Sequence, residues 1–281
     1  MGKRKPWISG IWREELVRAF WNGRFLVVFL LALACFGYGL YDASRFFPGL
    51  EIGMDTPFTK NAYELWLFVH YRSYFIYLAP IAAVLPFADS LWVDRSQGFL
   101  RFILVRTSYR RYLAAKLLAN LAAGAVAVGG PLLALYLYTS LSAPRTLPVN
   151  SLMFTTWGAQ NGSPAGILAS WYPSHPDLYI LSLIGMACLF GAAFATLGLA
   201  ISSLVNNRYV ILSAPFILFM VSAYISDRAR HLGHHWSPET LLIPYNTAEV
   251  STGTILVQLI LIAMASFLLL YFFGRRSRIV Q

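Results

Sequence analysis

Six runs of this chain, at 25–44, 66–93, 112–140, 178–204, 209–225 and 254–273, are apolar and long enough to cross a lipid bilayer. No water reaches the hydrocarbon core, so every backbone N–H and C=O inside it must bond within the protein. A helix satisfies that requirement on its own, and about 20 residues cover the roughly 30 Å core. The fifth run is marginal at 17 residues. Composition agrees: 58% of residues are hydrophobic and 12% charged, where a soluble domain carries about a quarter charged residues. The expected fold is an all-α integral membrane protein with six transmembrane helices.

A net charge of +10 can signal nucleic acid, but here the basic residues gather at the ends of apolar runs. That is the pattern of a chain oriented by a membrane, so the expected surroundings are membrane lipid and no nucleic acid. An even number of spans puts both termini on one side. Counting the N-terminal segment, the second-to-third and fourth-to-fifth connections and the tail, that side holds sixteen lysines and arginines against six on the other. The positive-inside rule then places both termini in the cytoplasm of a cell (inner or plasma) membrane protein. Cys35 and Cys188 each lie inside an apolar run and read as small buried residues, not as a disulfide framework. Neither a lipidation site at Cys35 nor a cleaved signal peptide is expected, because the first apolar run continues past the cysteine.

Residues 1–24 form a cytoplasmic segment whose stretch 9–23 repeats Trp12, Leu16, Ala19 and Phe20 at helical spacing. This predicts an elbow helix lying in the interface ahead of the membrane domain at 25–273, with Trp7, Trp12 and Trp21 at headgroup depth. The outer connections at 45–65, 141–177 and 226–253 are long; the middle one, dense in Trp, Tyr, Pro and Gly, predicts an ordered cap. A short cytoplasmic tail, 274–281, closes the chain.

Between the second and third spans, residues 94–116 read DRSQGFLRFILVRTSYRRYLAAK. The run 99–105 is apolar except for Arg101, yet seven helical residues reach only about 10 Å and cannot span. The segment carries six basic residues: Arg95, Arg101, Arg106, Arg110, Arg111 and Lys116. A short greasy helix among arginines at a membrane face is either a topology signal or a docking surface for another protein.

Enzyme chemistry is not expected. The chain has no Gly-x4-Gly-Lys-Ser/Thr phosphate loop, no His-Glu-x-x-His zinc motif and no Gly-x-Ser-x-Gly elbow. His231, His234 and His235 cluster in an outer loop, but Arg228 and Arg230 beside them disfavour a cation, and no metal site is expected. Asp89 is the one acid well inside a span, either a transport group or the partner of an arginine near the inner boundary. His70 and Arg72, near the outer end of the same span, are the other possible pathway residues, although snorkelling explains such positions more often. Pro80, Pro86, Pro131 and Pro215 predict kinks. Gly191, Ala195, Gly198 and Ser202 predict close packing, within the bundle or across a dimer.

An elbow helix, six spans and an Asp94, Gly98, apolar run, Arg110 or Arg111, Lys116 order resemble the membrane subunits of ABC-2 type transporters, the type V exporter-like architecture. Asp94 stands where that family commonly has Glu, and the turn Arg106-Thr107-Ser108 lacks the family's usual proline. The resemblance implies that 94–111 is the coupling-helix region that seats in a groove of a separate ATPase. Phe99, Phe102 and Ile103 would fill the groove, with Asp94, Gly98, Arg95, Arg101 and Arg106 around them. Residues 203–208, including Asn206, Asn207 and Arg208, would be a second, smaller coupling element, and 226–253 the re-entrant outer region. It further implies two ATPase subunits per complex, which carry the ATP and Mg, and a second permease subunit, homodimeric or heterodimeric. The chain itself would bind no cofactor and break no bond. The competing reading is an ATP-independent six-span carrier or channel using Asp89, His70 and Arg72.

Overall fold

The structure, a computed structural model, describes residues 7–46, 61–146, 166–229, 237–245 and 252–276. These form ten α-helices and two short 3-10 turns, with no strand among them. Helix α1 is Trp7–Phe20, α2 Gly23–Phe46, α3 Ala62–Arg72, α4 Phe75–Val84, α5 Ser90–Ser96 and α6 Phe99–Arg106. Helix α7 is Tyr109–Ser142, α8 Pro176–Ser202, α9 Arg208–Ala229 and α10 Thr252–Arg276. Five of them (α2, α7, α8, α9 and α10) are long and apolar enough to cross a membrane, and the bent pair α3–α4 makes a sixth when taken as one span. The described residues are helical apart from turns and short connections, and their apolar helices are those of a multi-pass membrane protein.

Helices α7 and α8 form the spine, and small residues set their separation. A Cβ on Gly124 would stand 2.4 Å from the Ala195 Cβ and 2.5 Å from the Gly191 oxygen; one on Gly191 would stand 2.2 Å from the Gly124 oxygen. The two backbones therefore touch, as small residues allow in lipid. Gly198 continues the stripe but faces Val84 and Ala88, each 2.9 Å from where its Cβ would be. Of the two uses open to this stripe, these three positions serve packing within the chain.

The second apolar run is not one straight helix. It breaks between α3 and α4 by 75° at Ser73–Tyr74, where Tyr74 adopts φ 56°. Pro80, a predicted kink, sits inside α4, while Pro86 falls in the turn between α4 and α5. Proline at position 80 lacks a donor but keeps a helical φ, so the helix runs past it. Pro131 and Pro215 likewise lie within α7 and α9.

At the end of the bundle away from α5 and α6, Asn61 caps α3 by accepting from the Glu64 N–H at 2.7 Å. Tyr172 is buried edge-on against Tyr179, ring centres 5.4 Å apart, so this part of the aromatic cap does pack on the core. Residues 237–245 also enter the core through Leu241, Leu242, Ile243 and Tyr245. Trp157 and the histidines 231, 234 and 235 lie outside the described residues.

Candidate functional site

The charged residues converge at the opposite end, around α1, α5 and α6. Lys116, on the first turns of α7, is fully buried. Its Nζ lies 2.7 Å from Asp94 Oδ2 and 3.2 Å from Glu15 Oε2. Arg18 of α1 donates to Asp94 Oδ1 at 2.8 Å and to Glu15 Oε1 at 3.2 Å. The Tyr112 hydroxyl donates to Asp94 Oδ2 at 2.7 Å. Two acids and two bases thus cancel in a cluster that is buried except for Arg18, whose side chain is 40% exposed. That balance matters, because an uncompensated charge there would carry a cost of several kcal/mol, of the order found for other buried ions. Burial alone would raise the Asp94 carboxyl, but Lys116, Arg18 and the Tyr112 hydroxyl outweigh it and hold it below the ordinary value of 3.8. The cluster ties α1 to α5 and α7.

Glu15 and Arg18 were not among the sequence candidates. The signal for Glu15 existed: it falls at i+3 from Trp12 and i−4 from Ala19, on the apolar face of α1. An acid on a buried face requires a cation, and Lys116 supplies it.

Helix α6 stands on this brace. Gly98 precedes it with φ +70°, the left-handed region that glycine enters without the steric cost of a Cβ. No atom would contact a Cβ there, so the requirement for glycine is conformational. Leu100 packs inward with Leu91, Tyr112 and Leu199, and Ile103 and Leu104 lie partly buried beside them. The spacing 100, 103, 104 is one helical face. The other face carries Phe99, Phe102 and Val105, exposed by 50%, 73% and 87%. Ile103, expected on the docking face, is therefore a packing residue, and Val105 takes the outward position. Arg101 is exposed beside this face. The side chain of Arg106 lies outside the described residues.

Arg95 does not flank α6. It turns to the end of α8, donating to the Ser203, Ser202 and Val205 carbonyls at 3.2, 3.2 and 3.3 Å and to Asn206 Oδ1 at 3.0 Å. The last carbonyls of a helix lack intrahelical donors and carry partial negative charge, so a guanidinium satisfies them well. Trp92 Nε1 adds a bond to the Asn206 carbonyl at 3.0 Å. Asn207 Oδ1 accepts from the Tyr209 N–H at 2.9 Å at the start of α9. The connection 203–207 is thereby held to α5.

Asp89 is almost fully buried. Arg24 Nη1 lies 2.6 Å from its Oδ1 and Arg208 Nε 2.7 Å from its Oδ2. The second contact is an ion pair, not a linear hydrogen bond. Arg208, expected to face an ATPase, is thus engaged with Asp89. At the far end, His70 is buried with its Nδ1 3.0 Å from the Tyr245 hydroxyl, and Arg72 Nε bonds Asp42 Oδ2 at 2.6 Å. The structure does not bring Asp89, His70 and Arg72 together. Among the described residues no group of three His, Cys, Asp or Glu has the arrangement of a metal site. No family model matches the chain, and neither a curated protein nor a solved structure matches it.

Proposed function

We propose that the chain is the permease subunit of an ATP-driven exporter of the ABC-2 kind, docking a separate ATPase through α6. One observation carries the reading: a short helix exposes Phe99, Phe102 and Val105 while its other face is fixed by packing and its base by the Asp94–Lys116 pair. Three large apolar side chains held outward on a braced helix would be an unfavourable surface in water, and burial against a partner removes it. The brace also suits a lever. A push on α6 passes to α7 through Tyr112 and Lys116, to α1 through Arg18 and Glu15, and to the α8–α9 connection through Arg95.

In this reading ATP binding draws two ATPases together on the cytoplasmic side, and the motion biases inward- and outward-facing states by the difference in binding free energy between them. The exposed apolar faces of α9 and α10 would meet lipid or the second permease subunit. The carrier alternative gains no support from Asp89, whose two oxygens both face arginines.

The test is co-purification of the chain with candidate ATPases, using Phe102→Asp and Leu100→Ala. Phe102→Asp should release the ATPase and abolish ATP-driven transport while leaving thermal stability within about 0.5 kcal/mol, as exposed substitutions do. Leu100→Ala should instead lower stability by about 2–5 kcal/mol. Transport that persists in Phe102→Asp, without any ATPase bound, would sink the proposal.

A further inference from the structure

A second charged cluster does not balance. Asp89 faces two arginines, one on each carboxylate oxygen, Arg24 from the start of α2 and Arg208 from the start of α9. One carboxylate neutralises one guanidinium, so the group keeps a charge of +1. The cluster of Glu15, Arg18, Asp94 and Lys116 shows that this fold can balance its buried acids charge for charge; here it adds a cation that Asp89 does not need. Both arginines are about one-third exposed, 33% and 40%. Among the described residues, Arg24 donates to Asp89 and Arg208 pairs with it as an ion, and no other carboxylate or carbonyl accepts from either. A guanidinium has five N–H donors, and most of these remain directed elsewhere.

The location specifies the ligand. Both arginines open apolar helices long enough to cross a membrane, so they sit where a hydrocarbon core gives way to headgroups. Trp21, three residues before Arg24, is 90% exposed, and Tyr209, next to Arg208, is 82% exposed. Amphipathic rings left bare beside the ends of spans are the residues that settle among lipid headgroups. Asn22 holds the turn in place by donating to the Pro86 carbonyl at 3.2 Å, which fixes Arg24 relative to Asp89.

We propose that Arg24 and Arg208, pinned by Asp89, form a binding site for the phosphate of an anionic phospholipid, with Trp21 and Tyr209 beside the acyl-chain boundary. Guanidinium pairs phosphate in a forked geometry that lysine does not reproduce. The site is independent of the ATPase reading and stands if that reading fails.

Native mass spectrometry from mixed micelles of equal phosphatidylglycerol and phosphatidylcholine reads the preference directly. The wild-type chain should retain phosphatidylglycerol selectively. Removing both arginines would strand Asp89, so the test variant is the triple Arg24→Gln, Arg208→Gln, Asp89→Asn, which removes the charges together. It should lose selectivity by about fivefold for each arginine. Asp89→Asn alone keeps both arginines, which are part exposed, raises the charge of the group to +2 and should bind phosphatidylglycerol as tightly or tighter. Arg110→Gln with Arg111→Gln, two exposed arginines elsewhere, should leave selectivity unchanged. Millimolar inorganic phosphate should not displace the lipid. The proposal is overturned by a wild-type chain without preference, a triple variant that keeps it, an equal loss in the Arg110/Arg111 control, or displacement by inorganic phosphate.

Discussion

Lys116 and Asp94, 22 positions apart and on different helices, meet at 2.7 Å with neither side chain exposed to solvent beyond 1%. Burial of this kind makes the pair an all-or-none device. Together with Glu15 and Arg18 the charges sum to zero, so removing one leaves a buried unit charge with no counterpart.

Lys116→Met should therefore lower stability by about 3–5 kcal/mol, and Asp94→Asn by a similar amount. The double variant restores the balance and should recover much of the loss. Thermal unfolding in detergent across the four-member cycle measures this; strictly additive losses would contradict coupling.

The same pair sets an acid limit. The folded-state Asp94 carboxyl lies below its ordinary 3.8, so the unfolded chain takes up the proton first as pH falls. The contribution to stability is complete above 3.8 and disappears as pH drops through the lower folded value. Unfolding temperatures of the wild type should hold down to about pH 4 on account of this group and then decline more steeply than those of Asp94→Asn.

Helix packing offers a test with an internal control. Gly191 and Gly185 share α8, but a Cβ at 191 would meet the Gly124 backbone at 2.2 Å, whereas nothing lies within 4 Å of one at 185. Gly191→Ala must separate α7 from α8 and should cost about 1–3 kcal/mol. Gly185→Ala should be neutral or stabilising by up to about 1 kcal/mol, since alanine favours helix. Equal effects at the two positions would show that the backbone contact does not limit the packing.

How far the chain's sequence foretells this arrangement depends on the range of the interaction. Hydropathy marks the apolar segments because a span is a local property, and it marks 99–105 as a short helix for the same reason. Gly98 is legible too, since a glycine between two helical runs flags a turn. The brace is less so: Asp94 and Lys116 occur in one segment, but Glu15 and Arg18 arrive from 101 and 76 residues away. Asp89 is legible as an acid in need of an arginine, while the identity of Arg24 and Arg208 depends on how α2 and α9 pack. The break at Ser73–Tyr74 has no proline or glycine to announce it, and the prolines that look like kinks lie elsewhere. What marks the bend is Ser73, buried at the break, whose hydroxyl donates to the His70 carbonyl at 3.0 Å and accepts from the Phe75 N–H at 3.4 Å.

The last expectation concerns Arg95, whose guanidinium reaches three carbonyls and the Asn206 side chain across the α8–α9 connection. If that fork holds the connection to α5, losing it should loosen 203–208 locally without unfolding the bundle, because the core clusters of α7 and α8 do not include Arg95. Hydrogen exchange of Arg95→Met should show protection over 203–208 falling roughly tenfold, the scale of one charge-assisted hydrogen bond of about 1.5 kcal/mol. Arg95→Lys keeps the charge but has a compact ammonium that cannot span the same acceptors, so it should restore only part of the protection. Unchanged exchange in Arg95→Met would mean that Trp92, through its 3.0 Å bond to the Asn206 carbonyl, holds the connection by itself.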